Sequence, residues 1–160
     1  VRIAFSVAID GRGKGRPKFT SRGGFARAYT DAKTRTYEAT IKEAGKAAMA
    51  MAGLEPLHGA VVLKVRVRRP ILKSANKTQK ALMLLDRIRP VSKPDWDNYG
   101  KAVCDALNGV AYHDDAQIVH GTVTKIYAEA PGIDIVIEPW KPSETVNPLA
   151  ERPDGTGLEP

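Results

Sequence analysis

The chain has 160 residues, a single cysteine, 25 Lys and Arg against 18 Asp and Glu, and a formal charge of +7, with an isoelectric point near 9.6. That length suits one domain with a real core. A lone Cys104 excludes an internal disulfide, no Cys/His grouping has zinc spacing, and no run of about eighteen apolar residues exists to span a membrane. The opening Val1-Arg2-Ile3-Ala4-Phe5-Ser6-Val7 is too short for a signal-peptide core, so a soluble, cytoplasmic protein is expected. The positive balance favours a polyanionic partner such as nucleic acid through counterion release, although many basic proteins bind nothing in particular.

Residues 1–9 alternate and are β-rich, which predicts an opening strand. Residues 11–27 are dense in glycine and cations and read as a loop or loose hairpin. They lack P-loop spacing. Arg12, Lys14, Arg16, Lys18 and Arg22 make this stretch a candidate arm for phosphates, with Phe19, Phe25 and Tyr29 available for stacking or for the core. Thr30 or Asp31 can cap a helix running to about Ala52, with Tyr37, Ile41, Ala44 and Ala48 as its apolar stripe and Gly53 as its stop. From Gly59 to Arg69 the period becomes two: Val61, Leu63, Val65 and Val67 face the core and Lys64, Arg66 and Arg68 face away.

Ser74 is expected to open a second helix that buries Ala81, Leu84, Leu85 and Ile88 and ends before Arg89-Pro90. A third helix opens at Pro94 with Asp95 or Asp97 as cap and closes at Asn108-Gly109. Its spacing buries Trp96, Tyr99, Val103 and Leu107 and aligns Asp97, Lys101, Cys104, Asp105 and Asn108 on another face. Gln117 to Ala128 reads as a strand, Pro131-Gly132 as a turn and Ile133 to Glu138 as a returning strand. The predicted class is α+β: one compact domain, residues 1–139, with a mixed sheet and about three helices. Residues 140–160 have no apolar period and read as a disordered, mildly acidic tail.

The span from Lys93 to Ile118 concentrates carboxylates in a basic chain. A helix N-terminus accommodates one or two of them. Asp114 and Asp115, brought near Asp95 and Asp97, would repel unless a cation sat among them. Oxygen donors of that kind suit Mg²⁺, with Mn²⁺ as a substitute, and a metal centre in a cationic body suits phosphodiester hydrolysis. Plainer roles exist for each residue: Asp95 as a cap, Asp97 and Lys101 as an i,i+4 pair, Asp114-Asp115 as a turn, Asp105 as a partner of Lys101. His113 and His120 have no second histidine at metal spacing, and Cys104 has no partner for nucleophilic work. An EF-hand beginning at Asp95 fails at Tyr99 and Ala106, and the segment before Asp95 is no buried strand of the kind a phosphatase Asp-x-Asp follows.

Lys93-Pro94-Asp95-Trp96-Asp97-Asn98 with Lys101, Asp105-Ala106-Leu107-Asn108-Gly109, then Tyr112 with Asp114-Asp115 and Gln117-Ile118, resembles the signature of the RusA family of Holliday junction resolvases. Arg16-Pro17-Lys18-Phe19 and the stretch from Tyr29 through Lys33 to Arg35 resemble its phage-type members, so the likeness spans most of residues 1–138. The resemblance implies a small α+β homodimer that binds four-way DNA junctions and, with Mg²⁺, cuts two strands symmetrically in recombination and repair. It implies catalytic and metal-binding roles for Asp95, Asp97 and Asp115 and a catalytic role for Lys101, with Asp105, Asp114 and Asn98 in support. Lys33, Arg35, Lys64, Arg66, Arg68 and Lys93 join the N-terminal cations as candidate DNA contacts. The competing classes are a junction-binding protein that does not cut and a metal-dependent nucleotide pyrophosphatase.

Overall fold

The computed structural model describes residues 1–10, 18–22, 25–29 and 32–142. The elements run β1 (Ile3–Val7), β2 (Lys18–Arg22), β3 (Phe25–Tyr29), α1 (Ala32–Ala52), β4 (Val61–Pro70), α2 (Lys77–Leu84), α3 (Trp96–Leu107), a 3-10 turn (Asp115–Gln117), β5 (Ile118–Ala128) and β6 (Gly132–Pro139). The α+β class and the three helices are as expected. Among the described residues, no helix is long and apolar enough to cross a membrane.

Four strands form a mixed sheet in the order β1-β6-β4-β5, and β2 and β3 form a separate antiparallel hairpin. The parallel β4–β5 pair needs a crossover, which α2 and α3 supply. After β5 the chain passes over the end of β4, so β6 pairs antiparallel with β4 and β1 rather than with β5. Arg68 fastens that passage, donating to the Ala130 carbonyl at 3.2 Å and pairing with Asp134 at 3.2 Å. It is half-buried there, which makes it a structural residue rather than the outward cation its strand period predicts.

The alternation in β4 has its expected consequence. Val61, Leu63, Val65 and Val67 are buried together with Ile133, Ile135 and Ile137 of β6, against Tyr37 and Ile41 of α1 and Tyr99, Val103 and Leu107 of α3. Burying large aliphatic side chains is worth about 1.5–3 kcal/mol each, so this layer holds the helices to the sheet.

Where α1 crosses α3 only a glycine fits: a Cβ on Gly45 would lie 2.5 Å from Leu107 Cδ2, and Leu107 is itself fully buried. Gly45→Val should therefore cost about 2–3 kcal/mol by overpacking, read as a lower urea midpoint. An unchanged midpoint would show that the helices do not meet this closely.

Two expectations fail in the second crossover segment. α2 starts at Lys77, not Ser74, because Asn76 forms a reciprocal capping box with Gln79, with bonds of 2.9 and 3.0 Å. It buries Met83, while Ala81, Leu84 and Leu85 stay exposed, Leu85 to 69%. The helix is too short to carry the longer stripe: it ends at Leu84, and Asp86 takes a left-handed backbone with φ 61°.

Candidate active site at the N-terminus of α3

Helix α3 is fixed at three points. Tyr99 is fully buried and accepts a hydrogen bond from Arg69 Nη1 of β4 at 2.9 Å. Burial pushes the Tyr99 phenol above its ordinary pKa, and Arg69 partly offsets this. Gly100 lets the helix close on β5, since a Cβ there would sit 3.1 Å from Val123. At the other end Asn108 is the C-cap and Gly109 takes φ 70°, the left-handed turn that glycine adopts without a steric penalty.

This seating leaves the N-terminal carboxylates uncommitted. Asp95 occupies the N-cap position with extended backbone, yet its side chain makes no capping hydrogen bond. Asp97 lies in the first turn, where the helix dipole favours negative charge. Both are exposed, and both line a cleft of about 720 Å³ with Pro90, Val91, Trp96 and Lys125. The i,i+4 ion pair that the spacing allows between Asp97 and Lys101 is not among the salt bridges of the described residues. Lys101 is exposed one turn further along the same face, Asn98 is half-buried, and Asp105 is half-buried and engaged in an interaction of its own.

The paired aspartates after the helix separate into different environments. Asp114 is a structural cap: its Oδ1 accepts from the Ala116 amide at 2.8 Å, while Gln117 Oε1 accepts from the amides of His113 and Asp114 at 2.8 and 3.0 Å. Gln117 also donates to the carbonyls of Leu57 (2.9 Å) and Gly59 (2.8 Å), tying this turn to the start of β4. Asp115 is exposed, and its charge reaches Cys104 and Tyr112. Both groups are pushed up in pKa mainly by burial, then by the Asp115 charge at Cys104 and by Cys104 ahead of Asp115 at Tyr112, and Tyr112 donates to the Cys104 carbonyl at 3.1 Å. Cys104 follows Asp97 by about 10 Å of helix axis at 1.5 Å per residue. Consistent with that spread, no group of three or more His, Cys, Asp or Glu among the described residues is arranged to hold a metal ion. The donors present nevertheless fit one hard cation, because Mg²⁺ is commonly held by one or two carboxylates with water and substrate phosphate completing its shell.

Lys125 is the functional candidate that the sequence pattern did not single out. Its Nζ donates to the carbonyls of Ser92 (3.1 Å) and Pro94 (3.3 Å), holding the segment that carries the cis Lys93-Pro94 bond against β5 and placing a cation beside Asp95 and Asp97. Its signal was available: it is the sole Lys or Arg between Ile118 and Ala128. Trp96 is the larger departure. Expected in the core, it is 62% exposed at the rim of the cleft.

The remaining candidates scatter. Arg12, Lys14 and Arg16 lie outside the described residues, Lys18 and Arg22 belong to β2, and Lys33 and Arg35 to the start of α1. Lys64 pairs with Glu138 at 2.5 Å, and Arg66 and Lys93 are exposed. His113, which lacks a histidine at metal spacing in sequence, meets His58 with ring centroids 4.5 Å apart.

The family model described as endodeoxyribonuclease RusA matches residues 9–138, and so takes in the whole of this site. The chain belongs to the RusA endodeoxyribonuclease family. It is also similar to the uncharacterized protein YqaN of Bacillus subtilis (strain 168), 33% identical over 140 residues that cover 84% of this chain and 94% of that one. RusA membership makes the chain a nuclease by class, a hydrolase of internal DNA phosphodiester bonds. It also sets the uncommitted carboxylates of α3 in a family whose substrate is a polyanion.

Proposed function

We propose that this RusA-family chain is a Mg²⁺-dependent, structure-specific endonuclease that resolves four-way DNA junctions by paired symmetric nicks and works as a homodimer in recombination and repair. The observation that carries the reading is the pair Asp95 and Asp97, free of capping and ion-pair partners among the described residues and in one cleft beside Lys125. A carboxylate pair kept only for stability would be capped or paired. Asp95 and Asp97 would hold the ion, and Asp115, which does not form one ligand group with them among the described residues, would act on it through water or substrate. When bound, such an ion polarises a phosphoryl oxygen and lowers the pKa of a bound water. Lys101 would lie against the scissile phosphate and offset the negative charge that develops there or on the leaving oxygen. Lys125 holds the Asp95 segment in place. Two related strands are cut in a four-way junction, and a two-fold dimer presents one site to each.

The test is incubation of the protein with a labelled four-way junction, a duplex of the same sequence and a nucleoside triphosphate, each with and without Mg²⁺. Paired nicks in the junction alone, and with Mg²⁺ alone, are expected. Tight junction binding with no nicks would assign a binding protein, and triphosphate hydrolysis without DNA cleavage a pyrophosphatase; either overturns the proposal.

A further inference from the structure

The cleft at the head of α3 has two chemically different walls. Asp95, Asp97 and Lys125 form the charged one, and Pro90, Val91 and Trp96 the apolar one. Val91 is 95% exposed, and Trp96, at the first helical position, lies outside the core cluster. Among the described residues, no packing role therefore accounts for a tryptophan between the two aspartates. We propose that Trp96, backed by Val91 and Pro90, is a nucleobase subsite that stacks the base next to the phosphate held at Asp95 and Asp97. This deepens the function proposed above and rests on it.

The occupant follows from connectivity and charge. A phosphate seated at the aspartates through a cation, with Lys125 alongside, brings its own sugar and base within a few ångströms. The apolar wall is the part of the cleft able to receive a planar, uncharged ring. Base–aromatic stacking tolerates any base, because every base has a π-face. Bases inside a continuous duplex are already stacked and present only their edges, whereas a base at a branch point is released at little cost. Trp96 therefore gives the site a means of favouring branched over linear DNA without reading sequence.

The experiment uses the full chain carrying Trp140→Phe, which leaves Trp96 as the sole tryptophan. Its fluorescence is titrated, in Ca²⁺ in place of Mg²⁺ so that a cation is present at the aspartates, with a thymidine oligonucleotide and with an abasic oligonucleotide of equal length that retains every phosphate, and bound fraction is followed by anisotropy. Strong quenching by the thymidine strand and little by the abasic strand at equal bound fraction is expected. Trp96→Ala should weaken thymidine-strand binding about tenfold or more while abasic-strand binding stays level, and Trp96→Phe should retain most of the difference. Equal quenching by both strands, no quenching by either, or equal affinities for Trp96→Ala and its parent would overturn the subsite. These outcomes do not depend on cleavage: base-dependent quenching in a protein that cuts no junction would sustain the subsite and sink the resolvase reading.

Discussion

Asp97→Asn should reduce junction cleavage in Mg²⁺ at least about 100-fold while leaving junction binding level or tighter, and Asp95→Asn and Asp115→Asn should behave alike. Asparagine preserves side-chain shape and is as good a cap or turn residue as aspartate, so a carboxylate with only those duties would tolerate the change. Asp95 makes no capping bond that the change could disturb. What the substitution removes is one negative charge from a hard-cation site that relies on anionic oxygens. Removing that charge also relieves repulsion of DNA phosphates, hence the undiminished affinity measured without metal. Asp114 is the internal control. Its carboxylate accepts from the Ala116 amide, a bond that Asn can also make, so Asp114→Asn should leave cleavage within a few-fold of the parent. If Asp97→Asn cuts as fast as the parent, Asp97 leaves the site; if Asp114→Asn is as inactive as the others, the division between site and cap is wrong.

Lys101→Met should lower the cleavage rate by about 100- to 1000-fold with almost no change in melting temperature. Lys101 is exposed and takes part in none of the salt bridges among the described residues, so its folded-state role is slight. Even an exposed helix pair would contribute under about 1 kcal/mol. A cation placed to meet charge developing on the reacting phosphate contributes far more, because that charge appears only in the transition state. Single-turnover cleavage together with thermal unfolding separates the two roles. A rate equal to the parent's would make Lys101 a surface residue, and a large fall in melting temperature would make it a structural one.

The fold was legible wherever periodicity met a large buried face. The alternation of Val61 to Val67 and the stripe from Tyr37 to Ala48 are local patterns whose meaning neighbours reinforce, and both elements form as read. The second helix was misread because its apolar residues fit a stripe without having a partner to bury it. Trp96 was misread for a related reason. Helical spacing aligns it with Tyr99 and Val103, but at the first position of α3 it stays largely exposed and outside the core cluster of the described residues.

By itself, the sequence determined which residue types gather at the head of α3, the Asn108-Gly109 stop that ends that helix, and a family signature long enough to name a nuclease class. These are matters of short-range spacing and of side-chain chemistry, which a linear chain carries openly. Only the tertiary structure decided that Asp114 is a cap and Asp115 is exposed, that Arg68 is held by Asp134, and that Lys125 stands beside Asp95. The Asp114 cap is a local bond to Ala116, but the partners of Arg68 and Lys125 lie far away in sequence and depend on which strand lies next to which. The passage of β6 to the far side of β4, and the seating of α3 on β5 through Gly100, bring such partners together by long-range packing that no local period encodes.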